Sequence, residues 1–389
     1  MARTYVAGVG MTKFTKPGQS RSYRHMGSAA IAEAIADAGI DPSSIETAFA
    51  AYVYGDSTSG QNALYDVMQT GIPIINVNNN CASGSTALYL AREAVRSGAV
   101  ECALAFGFEE MAPGPLSMAF QGMESPLGRF TEQLAEHGYP ESKHVTLWAF
   151  GAAAEYYVSH YDADPTIFAK VAVKSRRHAI VNPYSLFTQQ VSEEEVLGSP
   201  LLYGRYLHRL MACPPTNGAA AAVVCSEAFA RKNGVNGVEV VGQAMTSDTS
   251  DSWADPIRVV GTGVTRRAAE KAYAEAGLGP EDVDVIEMHD CFTNNEVLNM
   301  EALGLCDEGG ATKLIVDGDN TYGGRYVVGP SGGLMSKGHP LGATGLAQCF
   351  ELVNQLRGNA GARQVEGASV ALQHNLGLGS AGVVTIYRK

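Results

Sequence analysis

The chain repeats itself. Residues 34–46 read AIADAGIDPSSIE and residues 272–284 read AYAEAGLGPEDVD, an offset of 238 from Ala34 to Ala272. Each copy is a helix end, a glycine stop, a proline-started turn and then a strand. A looser match sets CASGSTALYLAREAV, from Cys81, against HPLGATGLAQCFELV, from His339, at an offset of 258. Gly84 then falls on Gly342, Thr86 on Thr344, Leu88 on Leu346, Glu93 on Glu351 and Val95 on Val353. Two copies of one plan predict two halves packed about a pseudo-two-fold axis. The ends of two central helices would meet near that axis, and Cys81 and His339 would face one pocket.

Around the repeats, VAGVG, TAFAAYVYG, IPIINVN and CALAFGF read as strands, while Met26–Ala38 and Ser83–Arg96 read as helices. The alternation predicts an α/β fold with a parallel or mixed sheet covered by helices. From Ala119 to Leu210 the pattern breaks. This stretch is richer in His, Tyr, Arg and Glu and lies between the strand-like runs CALAFGF and AAAAVVC. It reads as a subdomain inserted into the first half, a common place for substrate-binding elements. The expected division is 1–118 for the first half, continuing at 211–234, then 119–210 for the insertion and 235–389 for the second half.

At 46% hydrophobic and 17% charged residues, 389 residues can bury a sizeable core. A net charge of −12 argues against nucleic-acid or anionic-membrane binding, so an anionic ligand needs a local basic patch or oriented backbone N–H groups. The seven cysteines, at 81, 102, 213, 225, 291, 306 and 349, form no C-x-x-C pair and are odd in number. They read as reduced intracellular thiols, with neither a disulfide framework nor a zinc site. No apolar run is long enough to span a bilayer. MARTYVAGVGMTKF enters a strand without a signal-peptide core, and the terminal TIYRK is not a peroxisomal S-K-L type signal. The expected location is cytoplasmic.

Four stretches carry candidate chemistry. Cys81 follows Asn78-Asn79-Asn80 and precedes a helix of small residues; a helix N-terminus lowers a thiol pKa, which would make Cys81 a nucleophile. The alternative is a buried thiol acting as a small hydrophobe. His289-Asp290-Cys291-Phe292 ends the strand-like VDVIEM, where ligands of α/β sheets bind, although a structural histidine fits the bare tripeptide equally well. The run from Ser331 to Gly345, containing GHPLGATG, implies tight turns close to a ligand. The phosphate-loop pattern G-x-x-x-x-G-K-[ST] is absent from it. Gln373-His374-Asn375-Leu376-Gly377-Leu378-Gly379 ends a further strand.

In this order, NNNCASGS, HDCF, GHPLGATG and HNLGLG resemble the thiolase superfamily, and within it the sterol-carrier-type group typified by the thiolase domain of sterol carrier protein X. GDSTSGQ, GIPIINVNNNC, DNTYGG and LGATGLAQC extend the resemblance over essentially the whole chain. Where other thiolases carry N-E-A-F this chain has His289-Asp290-Cys291-Phe292, and where they carry C-x-G it has Asn375-Leu376-Gly377. The second cysteine has moved from one loop to another, as in the sterol-carrier-type group. The chain ends at Lys389, so no lipid-carrier domain is expected to follow, nor lipid transfer by this polypeptide alone.

The resemblance implies a thiolase fold, with two βαβαβαββ halves in an αβαβα core and an inserted loop domain. It also implies thiolysis of a 3-ketoacyl-CoA to acyl-CoA plus acetyl- or propionyl-CoA, in fatty-acid or sterol side-chain β-oxidation. Cys81 would be the nucleophile and His339 its base. Backbone N–H groups of Cys81 and Gly377 would form one oxyanion hole, and His289 with His339 the other. Cys291 would be the acid/base, with Asn375 and His374 in support. Coenzyme A is the implied co-substrate, with no permanently bound cofactor and no metal. Lys174, Arg176, Arg177 and His178 are the candidate patch for its phosphates, or else a solvated helix face. The strand IPIINVN would pair in a homodimer or a dimer of dimers. The alternatives are a thiolase-fold condensing enzyme, a retro-aldolase partner (expected to lack the nucleophilic cysteine), and a non-catalytic acyl-CoA-binding scaffold.

Overall fold

The computed structural model describes residues 2–114 and 122–389. The expected start of the insertion, Ala119, lies outside the described residues. The tighter repeat is realised step by step. The helix Tyr23–Ala38 stops at Gly39, whose φ of 66° suits glycine; a 3₁₀ turn starts at Pro42, and a strand starts at Thr47. At the same offset the helix Thr262–Ala276 stops at Gly277 (φ 65°), a turn starts at Pro280 and a strand at Val285.

The first half contributes β1 (Thr4–Met11), β2 (Thr47–Ala51), β3 (Ile74–Val77) and β4 (Cys102–Glu109). A small hairpin, β5 (Leu201–Tyr203) and β6 (Leu207–His208), stands apart before β7 (Gly218–Ser226). The second half contributes β8 (Val238–Thr246), β9 (Val285–Glu287), β10 (Val327–Val328), β11 (Val370–Gly377) and β12 (Ala381–Arg388). The large sheet runs β10-β9-β11-β12-β8-β1-β7-β4-β2-β3. Outward from the β1–β8 seam it reads 1-7-4-2-3 on one side and 8-12-11-9-10 on the other, the same plan twice. The seam is antiparallel, pairing Tyr5 with Glu239 and Val6 with Val238.

Side chains of β1, β2, β4, β9 and β11 that face inward pack on a central layer, the helices Ser83–Arg96 and Thr344–Arg357. The opposite faces pack on the helix Tyr23–Ala38 in the first half and on Thr262–Ala276 in the second. This is the layered αβαβα arrangement of a thiolase fold. Between β4 and β7, among the described residues, no strand joins the large sheet. The helices Gly128–Glu136, Val145–Tyr161 and Thr166–Ala179 instead bury Leu134, Trp148, Tyr157 and Phe168 in the cluster that holds Ile286 and Val297 of the second half.

The looser repeat needs a correction. The central helices start at Ser83 and Thr344 and end at Arg96 and Arg357, so their offset is 261 rather than 258. The match had slipped by three residues, close to one helical turn, which keeps small and apolar residues on the same face. In the true register Gly84 corresponds to Gly345, and the two touch. A Cβ on Gly84 would lie 3.1 Å from the Gly345 nitrogen, and one on Gly345 only 2.4 Å from the Ser85 nitrogen. Residues nearest a two-fold axis meet their own equivalents, so this contact marks the axis.

Candidate active site

The loop that carries Cys81 is built by its asparagines. Asn80 adopts φ 52°, a conformation asparagine tolerates, and its Nδ2 donates to the Leu378 carbonyl at 2.9 Å. The Asn79 N–H donates to Ser83 Oγ (2.9 Å) and Asn79 Nδ2 to Thr86 Oγ1 (3.0 Å), while Asn78 Oδ1 accepts from the Asn80 N–H (2.9 Å). Cys81 is thereby presented two residues before the helix Ser83–Arg96.

His339 reaches the same point from GHPLGATG. Its Nδ1 lies 2.7 Å from Thr344 Oγ1, whose own proton goes to the Pro340 carbonyl at 2.9 Å. With the Thr344 proton on that carbonyl, Nδ1 donates, which leaves the Nε2 lone pair bare. That buried Nε2 has no hydrogen-bond partner among the described residues. His289 stands edge-to-face against it, ring centroids 5.1 Å apart. One donor atom each from Cys81, His289 and His339 lie within 4.8 Å of one another. The shared pocket expected from the repeat is therefore present, although the register that suggested it was three residues off.

The electrostatics differ from the sequence expectation. Burial pushes the Cys81 thiol up to about 12, with a smaller push from Glu109. Desolvation of the thiolate outweighs the helix N-terminus that was expected to lower it. Burial also takes His339 down to about 3, and takes His289 well below its usual range, helped by His339 and His374. Burial thus favours a neutral thiol beside neutral imidazoles.

Cys291 is buried, and burial holds its thiol well above the ordinary range; Cys213, Cys81 and Asp290 add to the rise. Its loop is fastened by Asn295 and Asn299, whose amides donate to the His289 carbonyl at 2.6 and 2.8 Å. The Cys213 N–H donates to the Cys291 carbonyl at 2.9 Å, which makes Cys213 a third thiol at the site. Sequence reasoning missed it, because MACPPTNG carries no pattern that points to chemistry. Glu109 was also missed. It ends β4 and accepts from the N–H groups of Tyr54 (2.8 Å), Gly342 (2.9 Å) and Val53 (3.1 Å), tying the β2 loop to GHPLGATG; burial raises it to about 7. An acidic residue at the end of an all-apolar strand was the available signal.

The end of β11 meets the Cys81 loop. Gly377 leaves room for the Asn79 carbonyl, which a Cβ there would approach to 2.1 Å. The backbone N–H groups of Cys81 itself and of Leu378 are directed at the Cys81 sulfur. Asn375 Nδ2 lies 3.1 Å from His289 Nδ1. The His374 ring points the other way, as strand alternation requires, with Nε2 3.0 Å from Thr265 Oγ1 and Nδ1 3.5 Å from the His289 N–H. It backs His289 without entering the pocket.

Lys174, Arg176, Arg177 and His178 do not form a surface patch. Lys174 is buried against Glu296 and the Val328 carbonyl, and Arg176 lies 3.9 Å over the Phe187 ring. His178 is buried between the Gly329 carbonyl and Thr321, and Arg177 bonds Thr321 as well. Three of the four are spent on packing the helix Thr166–Ala179 against the second half. As for a metal, Cys81, His289 and His339 offer three closely spaced donors. Such a cation would need the His289 Nε2 lone pair.

The description "Thiolase, N-terminal domain" matches residues 4–195, and "Thiolase C-terminal domain-like" matches 242–389. Sterol carrier protein 2 of Homo sapiens is 49% identical over 396 residues, covering 100% of this chain and 72% of that protein. Benzoylsuccinyl-CoA thiolase subunit BbsB of Thauera aromatica is 35% identical over 386 residues, covering 97% and 95%. Among solved structures, the Ltp2-ChsH2(DUF35) aldolase superposes with a TM-score of 0.83 at 24% identity over 98% of this chain and 97% of that one, a likeness of fold. The chain belongs to the thiolase family, among acyltransferase-type relatives. No helix among the described residues is long and apolar enough to cross a membrane.

Proposed function

We propose that the chain is a 3-ketoacyl-CoA thiolase of the sterol-carrier type. The observation that carries this reading is the bare His339 Nε2 beside Cys81 and His289, with Cys291 in the same buried pocket. His339 Nε2 takes the Cys81 proton as the sulfur attacks the keto carbon. The N–H groups of Cys81 and its β11 neighbours, Gly377 and Leu378, hold the oxyanion. The C–C bond then breaks. The shorter acyl-CoA leaves as an enolate, its thioester oxygen held by His289 and His339, and Cys291 protonates its carbon. The Cys291 thiolate next takes the proton of incoming CoA, whose sulfur releases the acyl group from Cys81. The high pKa of Cys291 keeps it protonated until the enolate forms. The reverse Claisen condensation uses the same groups.

CoA acts as co-substrate, and the relative named as a CoA thiolase at 35% identity supports this assignment. The partly exposed edge strand β3, with Ile75 pointing outward, is the surface for pairing two copies into a homodimer or a dimer of dimers. The insertion between residues 119 and 210 is the element to which acyl specificity belongs. The test is a panel of short, medium, 2-methyl-branched and steroid-derived 3-ketoacyl-CoA substrates with free CoA, following loss of the ketoacyl absorbance. Loss with at least one class supports the proposal, and no loss with any class overturns it.

The likeness to an aldolase favours one second reading, a retro-aldolase of 3-hydroxyacyl-CoA working with a partner protein. Retro-aldol cleavage needs no nucleophilic sulfur. Under that reading Cys81→Ala retains turnover, whereas a thiolase loses it together with the acyl-enzyme.

A further inference from the structure

The two site histidines stand in opposite environments, and a buried chain of hydrogen bonds decides the state of one of them. Gln373 Nε2 donates to the Gly345 carbonyl at 2.7 Å and to Ser85 Oγ at 2.8 Å. A carbonyl only accepts, so this contact fixes which end of the Gln373 amide is nitrogen. The Tyr387 hydroxyl donates to Gln373 Oε1 on the other side. Ser85 Oγ, already accepting from Gln373, sends its own proton to Asn375 Oδ1 at 3.0 Å. Asn375 must then present Nδ2 to His289 Nδ1 at 3.1 Å. His289 Nδ1 is left as an acceptor, and a neutral ring carries its proton on Nε2. Ser85, Gln373, Asn375 and Tyr387 are each 0% exposed, so bulk water does not compete for these donors and acceptors.

We propose that Tyr387, Gln373, Ser85 and Asn375 form a positioning relay that holds His289 as an Nε2–H donor, while Thr344 holds His339 in the opposite tautomer with Nε2 bare. The two rings then divide one reaction between them. His339 Nε2 can take a proton, and His289 Nε2–H can only donate a hydrogen bond to a developing oxygen anion. The same relay disfavours a cation on the Cys81–His289–His339 trio, because His289 would have to give up its Nε2 proton against the direction of the chain. The relay crosses the pseudo-two-fold axis, since Ser85 belongs to the first central helix and Gly345 to the second. It requires Gln373 and Asn375 to share one face of β11, as residues two apart do.

The catalytic half of this inference rests on the thiolase reading; the tautomers do not. They are read first, by nitrogen NMR of the wild-type protein labelled with ¹⁵N-histidine, with signals assigned by their loss in His289→Asn and His339→Asn. The expected result is a proton on Nε2 of His289 and on Nδ1 of His339; any other assignment overturns the proposal whether or not the protein is a thiolase. Asn375→Asp then places an acceptor against Nδ1 and draws the His289 proton to that side. Thiolysis should fall by about 10²–10³-fold, the range for loss of one oxyanion donor, with most of the loss in kcat, and the His289 Nε2 signal should become that of an unprotonated nitrogen. Should Asn375→Asp not fold, Ser85→Ala carries the same readout, because an uncommitted Asn375 amide can flip and the His289 signals become a mixture. Retained turnover with a moved proton overturns the division of labour, and an unmoved proton in folded Asn375→Asp or Ser85→Ala overturns the relay. Absence of thiolysis in the wild type, with both tautomers as stated, would overturn the thiolase reading alone.

Discussion

Alkylation of Cys81 as a function of pH tests the electrostatic picture directly. With a pKa near 12, about one thiol in 10⁵ is ionised at pH 7, and the ionised fraction rises about tenfold per pH unit up to pH 10. The rate with limiting iodoacetamide, read by peptide mapping, should therefore climb about 10³-fold from pH 7 to pH 10 without a plateau. An ordinary thiol near 8.5 would gain only about 30-fold and flatten above pH 9. His339 adds a second arm. Since burial keeps it neutral down to about pH 3, it supplies no resting positive charge, and His339→Ala should leave the shape of the profile unchanged. Circular dichroism at each pH excludes unfolding as the source of the rise. A plateau below pH 9, or a profile shifted by a full unit in His339→Ala, would establish a resting thiolate–imidazolium pair and refute the argument from burial. Preferential labelling of the buried Cys102, Cys225 or Cys349 would instead remove Cys81 as the most reactive thiol.

Other consequences can be checked separately. Cys291→Ala should lower thiolysis by about 10²–10⁴-fold while Cys81 still alkylates; near-normal turnover would move the acid/base role elsewhere. Gly345→Ala drives a methyl group into Ser85 across the axis and should cost about 1–3 kcal/mol in urea unfolding, with an unchanged midpoint counting against the close approach. Lys174→Ala leaves the buried Glu296 with no opposite charge, only the Asn320 amide, and should cost roughly 3–5 kcal/mol; unchanged stability with weakened CoA binding would restore Lys174 to the phosphate-binding role. Light scattering should find a dimer or a dimer of dimers, and a stable active monomer at micromolar concentration would remove β3 as the pairing edge.

What could be read in advance followed the physics that sequence carries. The glycine stop and proline start of the 238-residue repeat are local rules, and both copies obey them residue by residue. The meeting of Cys81 and His339 was legible because strand ends and helix starts are local as well, and the repeat brought the two to one axis; His289 joined them only through the family resemblance. The three-residue slip arose because small residues on a helix look alike one turn apart. Burial was the quantity least accessible. A run such as Lys174 to His178 reads as a charged face until the partner that covers it is known, and that partner, Glu296, lies 122 positions away. The same blindness hid the high pKa of Cys81, whose helix start is local while the desolvating walls are not. Cys213 and Glu109 gain their significance only from the chains packed against them.

The Asn80–Leu378 tie has a consequence in time. The loop carrying Cys81 is fastened by a carbonyl 298 positions further along the chain than Asn80. Until residue 378 has left the ribosome and β11 has paired, Cys81 has neither its anchor nor its buried walls, and it is an ordinary, ionisable thiol. Folding thus takes ionisation away from this sulfur. The nascent chain is more vulnerable to electrophiles than the finished protein. In pulse-alkylation during refolding at pH 8, Cys81 labelling should fall in the phase that buries the second half; labelling that rises in that phase would contradict this account.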